Sequence, residues 1–282
     1  MNHVSIVAEG GGTKIAYTAG VLKCLLEHEI YVPYCVGISA GAEVLLPYVS
    51  RQIRRLEVTG IDAPSQKGAV GIRSVLKEGS LFGIESTCEF IEEKAPLDWD
   101  TFYKSSSELE IGLYNMETHQ VEYYSKEDVT KDMTLVKASC ALLLLTKPYM
   151  FKGHKYFDAG LVDMISIKQA IKKGYKKHIV ISTKEEGYVR KPAPKYQQVL
   201  AKLVYRDKTI QEDLKNRHNR YNEQWKIISD LEKEGNALVL RPHKDLGITR
   251  YTTDPEKLGP WFQLGYDETL ERMDEIRAFC QE

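Results

Sequence analysis

Short apolar runs alternate with amphipathic runs in the first half of the chain. Residues 4–8 predict a buried strand, which ends at Glu9 and the glycines of residues 10–12. An apolar stripe at helical spacing follows over residues 15–30, and a second short strand at 33–36 leads into a helical run at 40–49. This strand–helix–strand–helix order predicts right-handed crossovers and a parallel sheet with helices on its faces, which is an α/β fold.

The remaining pattern divides the chain near residue 185. Up to that point it predicts a loop, an antiparallel hairpin, a helix and a buried strand, at residues 60–71, 110–124, 135–145 and 178–182. Beyond residue 190 the chain is more polar, and helices are predicted at 196–234 and 260–280. We therefore expect one α/β domain over residues 1–185 and a mainly helical C-terminal extension over residues 186–282.

Composition narrows the class of protein. The 282 residues are 43% hydrophobic, which is enough for a core, and the net charge of −1 provides no basic field for nucleic acid. The longest apolar run, residues 141–145, is too short to span a bilayer, and the N-terminus lacks the basic segment of a signal peptide. Five cysteines form no C-x-x-C pair, and no set of His, Cys, Asp or Glu has metal-ligand spacing. We expect a cytoplasmic protein with no metal, no other cofactor and no nucleic-acid partner.

The residues from Gly37 to Gly41 have the pattern G-x-S-x-G between a predicted strand and a predicted helix. This pattern is typical of a nucleophile elbow, in which Gly37 and Gly41 leave room for a tight, strained turn around Ser39. The turn also places Ser39 at a helix N-terminus, where backbone amides favour negative charge. A small-residue turn that only joins a strand to a helix is the alternative.

A glycine-rich loop, with Gly10, Gly11, Gly12 and Lys14, follows the first strand. Such a loop can direct backbone amides into one space, as an oxyanion hole or a phosphate cradle requires. It is not a Walker A loop, because no G-K-[ST] closes it, and Ile15 occupies the place of the last glycine of a dinucleotide-binding loop. The alternative interpretation is a glycine turn that binds no ligand.

A third motif consists of Phe157, Asp158, Ala159 and Gly160 after an apparent strand. Two small residues after Asp158 allow a carboxylate to be presented in a crowded site. Taken alone, this motif is most often an ordinary turn, because Asp and Gly are the commonest turn residues.

These three motifs, in this order, resemble those of the patatin-like phospholipase family. The resemblance continues through residues 10–26 and 138–163, and residues 217–258 are similar to the C-terminal extension of a bacterial patatin-like subgroup. It therefore covers nearly the whole chain. It implies a patatin-like three-layer fold, with a central, mostly parallel sheet flanked by helices.

By this resemblance the protein is a serine esterase, or lipid acyl hydrolase, of the phospholipase A type. Asp158 accepts the hydroxyl proton of Ser39, which attacks an ester carbonyl, and the amides of Gly10, Gly11 and Gly12 bind the oxyanion. The implied partner is a lipid ester. Transient contact with a membrane surface stays open, and no protein partner is indicated. Basic clusters that suit such a surface occur at residues 51–55, 172–177 and 184–195.

The chain departs from the family pattern next to its motifs. Glu9 and Lys14 replace the usual Asp and Arg, and Ile15 and Ala159 stand where Gly is usual. Because Ala159 disfavours positive φ, its carboxylate neighbour can be aimed differently, which puts the rate in question more than the reaction. The residues expected to support the site or brace its loops are Glu9, Lys14, Ala159, Gly160 and Asp163.

Two other functions stay open. A Ser-His-Asp esterase would take its histidine from His178, His218 or His243, because α/β-hydrolases have the order Ser, acid, His. His178 begins a predicted strand and His218 lies on a polar helix, so His243, in a loop, is the hardest to exclude. The other alternative is a catalytically weak or inactive lipid-binding or regulatory protein on the same fold.

Overall fold

The computed structural model describes residues 3–281, which contain an eight-stranded mixed sheet between two layers of helices. The strands are β1 (Val4–Ala8), β2 (Tyr34–Gly37), β3 (Glu108–Asn115), β4 (Val121–Ser125), β5 (Tyr149–Phe151), β6 (His154–Asp158), β7 (Lys177–Ile181) and β8 (Ala237–Leu240). The α-helices are α1 (Ala16–Glu27), α2 (Ala40–Val49), α3 (Ile53–Glu57), α4 (Ala63–Ser65), α5 (Ile72–Glu78), α6 (Ile84–Lys94), α7 (Trp99–Lys104), α8 (Thr134–Ser139), α9 (Ile167–Lys172), α10 (Lys195–Val204), α11 (Lys208–Lys233), α12 (Pro255–Glu271) and α13 (Met273–Gln281). Short 3₁₀ helices lie at Gly12–Ile15, Lys126–Asp128 and Ala159–Leu161, and a π-helical segment, Val58–Asp62, joins α3 to α4.

The order of strands brings together the loops that follow β1, β2 and β7 at one end of the sheet. The order is β5-β6-β3-β2-β1-β7-β8, and β4 pairs with β3 outside this path. β1 pairs in parallel with β2 and β7, and the outer pairs β2–β3 and β7–β8 are also parallel. Ala8, the last residue of β1, lies opposite Gly37 of β2 and Ile181 of β7. The loops that follow these strands therefore meet at their carboxyl ends, where open α/β sheets bind ligands.

The side chains of β1 alternate between two cores. Ile6 and Ala8 pack in the larger core, with residues of α1, α2 and α12, whereas Val7 packs on the other face with residues of α9 and α11. This alternation follows from the two-residue period of a strand. It gives the helix–sheet–helix arrangement and confirms the predicted three-layer α/β class.

Three predicted elements are wrong in extent. Residues 60–71 are not all loop, because the π-helical segment and α4 continue α3, and Pro64 lies in the first turn of α4, where no backbone N–H is needed. The helix predicted at 135–145 ends at Ser139. The helix predicted at 196–234 is two helices, because Tyr205 is extended and the Asp207 side chain caps α11 by accepting from the amides of its first turn.

Residues 186–281 are mainly helical, as predicted, but they also contribute a strand that the sequence did not indicate. β8 pairs in parallel with β7, and Leu258 and Trp261 of α12 are buried in the larger core. The boundary after residue 185 stays a prediction. No helix within residues 3–281 has both the length and the apolar character needed to cross a membrane.

Candidate active site

Ser39 lies in the turn between β2 and α2 with a strained backbone. Its φ of 58° and ψ of −139° place it in a region that residues with a side chain rarely adopt. A Cβ on Gly37 would lie 2.7 Å from the amide nitrogen of Ala42, and one on Gly41 would lie 2.7 Å from the carbonyl oxygen of Glu9. Both glycines are therefore required by close backbone approach, and the turn has the form of a nucleophile elbow.

The strained turn is held by a serine that the sequence analysis missed. The backbone N–H of Ser39 donates to Ser139 Oγ at 2.9 Å, and this hydroxyl lies 3.4 Å from the carbonyl oxygen of Gly112. Ser139 is the last residue of α8 and is fully buried. No local pattern marks this serine, because its role depends on a contact between segments that are 100 positions apart.

Asp158, the last residue of β6, lines the same cavity as Ser39. Its carboxylate also accepts from the backbone N–H of Gly160 at 2.7 Å, and the side chain is 4% exposed. Burial raises the pKa of Asp158 above its ordinary value, against the opposing effects of the Ser39 hydroxyl, the Gly160 amide and the charge on Arg217. The structure thus brings together Ser39 and Asp158, which we call the serine–aspartate pair.

The glycine loop lies against the elbow. A Cβ on Gly10 would lie 3.0 Å from the carbonyl oxygen of Ile38 and 3.1 Å from the Cβ of Ser39. The amide of Gly10 donates to the Met164 carbonyl at 3.4 Å, whereas the amides of Gly11 and Gly12 have no hydrogen-bond partner among residues 3–281. All three glycines line one cavity together with the serine–aspartate pair. Two amides at this cavity are therefore available to a ligand.

Glu9 ties the glycine loop to two other elements. Its carboxylate is completely buried and accepts hydrogen bonds from the Ser182 hydroxyl at 2.6 Å and the Thr183 amide at 3.0 Å, both after β7. It also accepts from the Tyr221 hydroxyl of α11 at 2.9 Å. A shorter Asp carboxylate would not span the same three donors without moving the loop, so the departure from the family pattern is built into the packing.

Lys14 and Asp163 also contact residues beyond the predicted domain. The carbonyl of Lys14 accepts from Trp261 Nε1 at 2.9 Å, and its ammonium lies 3.6 Å from Asp245. The carboxylate of Asp163 accepts from the Gln224 side chain at 2.5 Å and from the Tyr123 hydroxyl. Each contact fixes a segment next to the cavity.

Ala159 does not aim the carboxylate away. It is the first residue of the 3₁₀ turn that Asp158 caps, and it is not among the residues with positive φ. A Cβ on Gly160 would lie 2.9 Å from the Asp158 carboxylate, so this glycine is the position of the motif that needs to be small.

Of the three candidate histidines, His218 lines a groove that Asp158 also lines, whereas His178 and His243 line none of the three cavities around the serine–aspartate pair. His178 is buried 2.8 Å from the Ser5 hydroxyl, and burial lowers its pKa to about 4, which keeps it neutral. His243 pairs with Glu268, and His218 contacts a backbone carbonyl of its own helix. Within residues 3–281 no histidine is hydrogen-bonded to the serine–aspartate pair.

A second cavity at Ser39 is an apolar slot, which Gly12 of the glycine loop also lines. Its lining includes Ile15, Ala40, Phe82 and Ile84, and Glu43 of α2 is its one carboxylate. Such a slot is suited to a hydrocarbon chain. In the part of the chain that the structure describes, no group of three or more His, Cys, Asp or Glu side chains could hold a metal ion.

The family model described as patatin-like phospholipase matches residues 6–171, which is more than half of the chain and includes the serine–aspartate pair and the glycine loop. The chain belongs to the patatin-like phospholipase family. The resemblance seen in the three motifs is therefore confirmed. Residues 207–281 match a second model, a domain of unknown function named DUF6363.

Known proteins that are similar to this chain include YjjU and VipD. The uncharacterized protein YjjU of Escherichia coli strain K12 is 24% identical over 188 residues, covering 64% of this chain and 52% of YjjU. The chain thus spans about half the length of this curated relative. The crystal structure of VipD from Legionella pneumophila superposes with a TM-score of 0.49 and 13% identity, over 97% of this chain and 67% of VipD.

Proposed function

We propose that this patatin-like protein is a carboxylic ester hydrolase that cleaves the acyl esters of lipids with Ser39 as nucleophile and Asp158 as base. Family membership supports lipid acyl hydrolysis in general. The observation that carries the finer proposal is that the serine–aspartate pair lines one cavity with two unpartnered glycine amides.

The reaction proceeds in two halves. Asp158 takes the hydroxyl proton as Ser39 Oγ bonds to the carbonyl carbon, and the negative charge that forms on the carbonyl oxygen is stabilised by the amides of Gly11 and Gly12, at about 2.7–4 kcal/mol per donor. The carbonyl re-forms, the ester C–O bond breaks, and the leaving alkoxide takes the proton from Asp158. Water, deprotonated by Asp158, then attacks the acyl-enzyme; the bond to Ser39 Oγ breaks, Asp158 returns the proton to Oγ, and the fatty acid is released.

The environment of Asp158 suits the role of base. An aspartate in water, with an ordinary pKa near 4, is too weak a base to take a serine proton efficiently at neutral pH. Burial raises the pKa of Asp158, which increases its proton affinity. The 2.7 Å hydrogen bond from the Gly160 amide keeps the carboxylate oriented towards Ser39.

The substrate places its acyl chain in the apolar slot and its alcohol portion in a groove that Asp158 lines and that shares Leu142 with the slot. That groove has a volume of about 560 Å³ and is lined by Asp158, Leu161, Arg190 and Tyr251, among others. Its size is in the range of cavities that hold small molecules. A lipid ester would thus span the serine–aspartate pair, and none of the steps above needs a cofactor.

Two amphipathic helices, α5 and α10, hold the openings of the slot and the groove against a lipid surface. Leu76 of α5 is 82% exposed and Leu203 of α10 is 75% exposed, and each helix also carries basic residues. α5 lies between Val70 and Phe82, which pair with one another and line the slot, whereas α10 borders the groove. Exposed apolar side chains among cations are suited to an anionic bilayer surface.

Vesicle cosedimentation tests this docking. We expect the protein to bind vesicles of phosphatidylglycerol more strongly than vesicles of phosphatidylcholine, and the double substitution Leu76→Ser with Leu203→Ser to reduce that binding. Leu270→Ser, at an exposed leucine of α12, is the matched control. Absence of wild-type binding, or equal loss with the control, would refute the docking.

The five cysteines support the cytoplasm as the location. Cys24, Cys35, Cys88, Cys140 and Cys280 are all unpaired. Burial raises the pKa of each thiol, which keeps it protonated and unreactive. Unpaired thiols of this kind are usual in a reducing compartment.

Labelling with a fluorophosphonate probe, followed by peptide mapping, tests the proposed nucleophile and base. We expect the label on Ser39, with no labelling of Ser39→Ala, strongly reduced labelling of Asp158→Asn and wild-type labelling of His243→Ala. Loss of labelling in His243→Ala would instead indicate a Ser-His-Asp esterase. A folded wild type that takes no label and hydrolyses no ester would overturn the proposal in favour of an inactive lipid-binding protein.

A further inference from the structure

One wall of the cavity at Ser39 is strongly basic. The side chains that line it are those of Lys14, Lys184, Arg190, Arg217 and Arg250. The three arginines follow residue 171, where the match to the patatin-like family ends. They therefore come from the part of this chain that the family pattern does not describe.

The three arginines have no carboxylate partner within residues 3–281. Arg217 donates from Nε to the carbonyl oxygen of Gly160 at 2.5 Å, and no ion pair joins Arg190, Arg217 or Arg250 to an acidic side chain. Of the nearby acids, Glu9 is 3.9 Å from Lys184 and already accepts three hydrogen bonds. Asp158 attracts Arg217 and Glu9 attracts Arg190 through space, but neither carboxylate forms an ion pair with an arginine among the described residues.

The backbone holds these arginines in place. The amide of Arg190 donates to the Asn222 side chain of α11 at 2.9 Å, and the Asn222 amide group donates back to the Arg190 carbonyl at 3.2 Å. The carbonyl of Arg250 accepts from the Thr13 amide in the glycine loop at 3.4 Å. Because both segments are pinned next to the cavity, the guanidinium groups are positioned rather than free on the surface.

Holding these cations together is unfavourable without a ligand. Burial, together with the charges of Arg190 and Arg250, lowers the pKa of Arg217 to about 9, against the opposing charge of Asp158. Burial lowers the pKa of Lys184 to about 8, with Lys14, Arg190 and Arg250 acting in the same direction. Buried charges are ordinarily paired, so the cluster has the character of a site for an anion.

We propose that Arg190, Arg217 and Arg250 bind a terminal phosphate monoester on the substrate, whose acyl ester then lies at Ser39. Planar guanidinium groups match the oxygens of phosphate in pairs, and a monoester carries between one and two negative charges at neutral pH. A phosphodiester that carries a choline group would bring a further positive charge next to a wall that is already cationic. The inference rests on the proposed hydrolase function, because it assigns the charge of that substrate.

Three octanoyl esters that differ only in head group test the proposal: 1-octanoylglycerol 3-phosphate, 1-octanoylglycerol 3-phosphocholine and 1-octanoylglycerol. We expect the wild-type kcat/KM to be highest for the phosphate monoester. Losing one charge-assisted contact in Arg190→Gln or Arg250→Gln should lower the ratio of its kcat/KM to that of octanoylglycerol by about tenfold. Lys226→Gln, at an exposed lysine on the same helix as Arg217, should leave that ratio at the wild-type value.

Other outcomes separate the sources of the anion and the two proposals. Equal turnover of all three esters, or a preference for the phosphocholine ester, would overturn the inference while leaving the hydrolase intact. Inhibition by inorganic phosphate without preference for the phosphate ester would also overturn it, since the site would then take a free anion. If neither turnover nor labelling of Ser39 is found, the hydrolase fails. Calorimetry with glycerol 3-phosphate then tests the phosphate site by itself. Binding to the wild type that is lost in the double variant, Arg190→Gln with Arg250→Gln, supports the site, and absence of binding to the wild type refutes it.

Discussion

Glu43 follows Ser39 by one turn of α2 and lines the apolar slot, where a charged carboxylate is poorly solvated. Burial raises its pKa from 4.5 to about 7, against the opposing charge of Arg55. The neighbouring thiols of Cys88 and Cys140 have pKa values raised by burial and stay neutral. Glu43 is therefore the group in the slot whose charge changes near neutral pH.

The sign of the effect on stability follows from proton uptake. Between pH 4.5 and about pH 7 the folded protein holds a proton on Glu43 that the unfolded chain has released. Stability therefore falls as pH rises through this window and levels off above it. With these pKa values, ionisation of Glu43 costs about 2 kcal/mol more at pH 8.5 than at pH 5.5.

Glu43→Gln removes this titration and keeps the shape of the side chain. We expect the variant to gain about 2 kcal/mol relative to the wild type when the pH is raised from 5.5 to 8.5, measured by urea denaturation at both pH values. Other titrating groups cancel in the difference between variant and wild type. Glu271→Gln, at an exposed acid of α12, measures the effect of removing a solvated carboxylate. A gain that is the same at both pH values would refute the reasoning, because it would show that Glu43 is charged throughout.

Three further substitutions test the parts of the site. Asp158→Asn removes the proposed base and should lower kcat for octanoylglycerol by about 10²–10⁴-fold while the fold is retained, as monitored by circular dichroism. Ser139→Ala leaves the buried amide of Ser39 without its acceptor, so urea denaturation should show a loss of about 1–3 kcal/mol, and an unchanged stability would contradict that contact. Gly41→Ala places a Cβ 2.7 Å from the Ala8 carbonyl oxygen, and a loss of about 1–3 kcal/mol is expected; an unaltered Tm would show that the elbow tolerates a side chain.

The elements that position Ser39, the proposed nucleophile, could be predicted because their signals are local. A strand, a glycine turn and a helix follow one another over residues 34–49, and the glycines are required by contacts within the same turn or with the adjacent strand. The α/β class follows from the same alternation repeated. The spacing of the glycines and the serine in the sequence was therefore enough to predict the geometry of the elbow.

Other parts of the site depend on contacts over long stretches of chain. Ser139 lies 100 positions from Ser39, and Arg250 meets the glycine loop through the Thr13 amide. Nothing in the neighbourhood of either residue in the sequence indicates its partner. The helix predicted at 135–145 illustrates a second cause, because an apolar run has no period that marks its end at Ser139.

The C-terminal segment cannot be a mere appendage to the site, because it bonds to two of the loops that form it, the glycine loop and the loop after Asp158. Tyr221 donates to Glu9 before the glycines, and Trp261 donates to the Lys14 carbonyl after them. Arg217 donates to the Gly160 carbonyl, two residues beyond the proposed base. A loop that is tied in this way holds its amides and carboxylate in one arrangement before substrate arrives, which is what electrostatic stabilisation of a transition state requires. The same segment supplies the three unpaired arginines, so the preorganisation of the reaction centre and the charge of the proposed substrate would both be set by residues outside the matched family region.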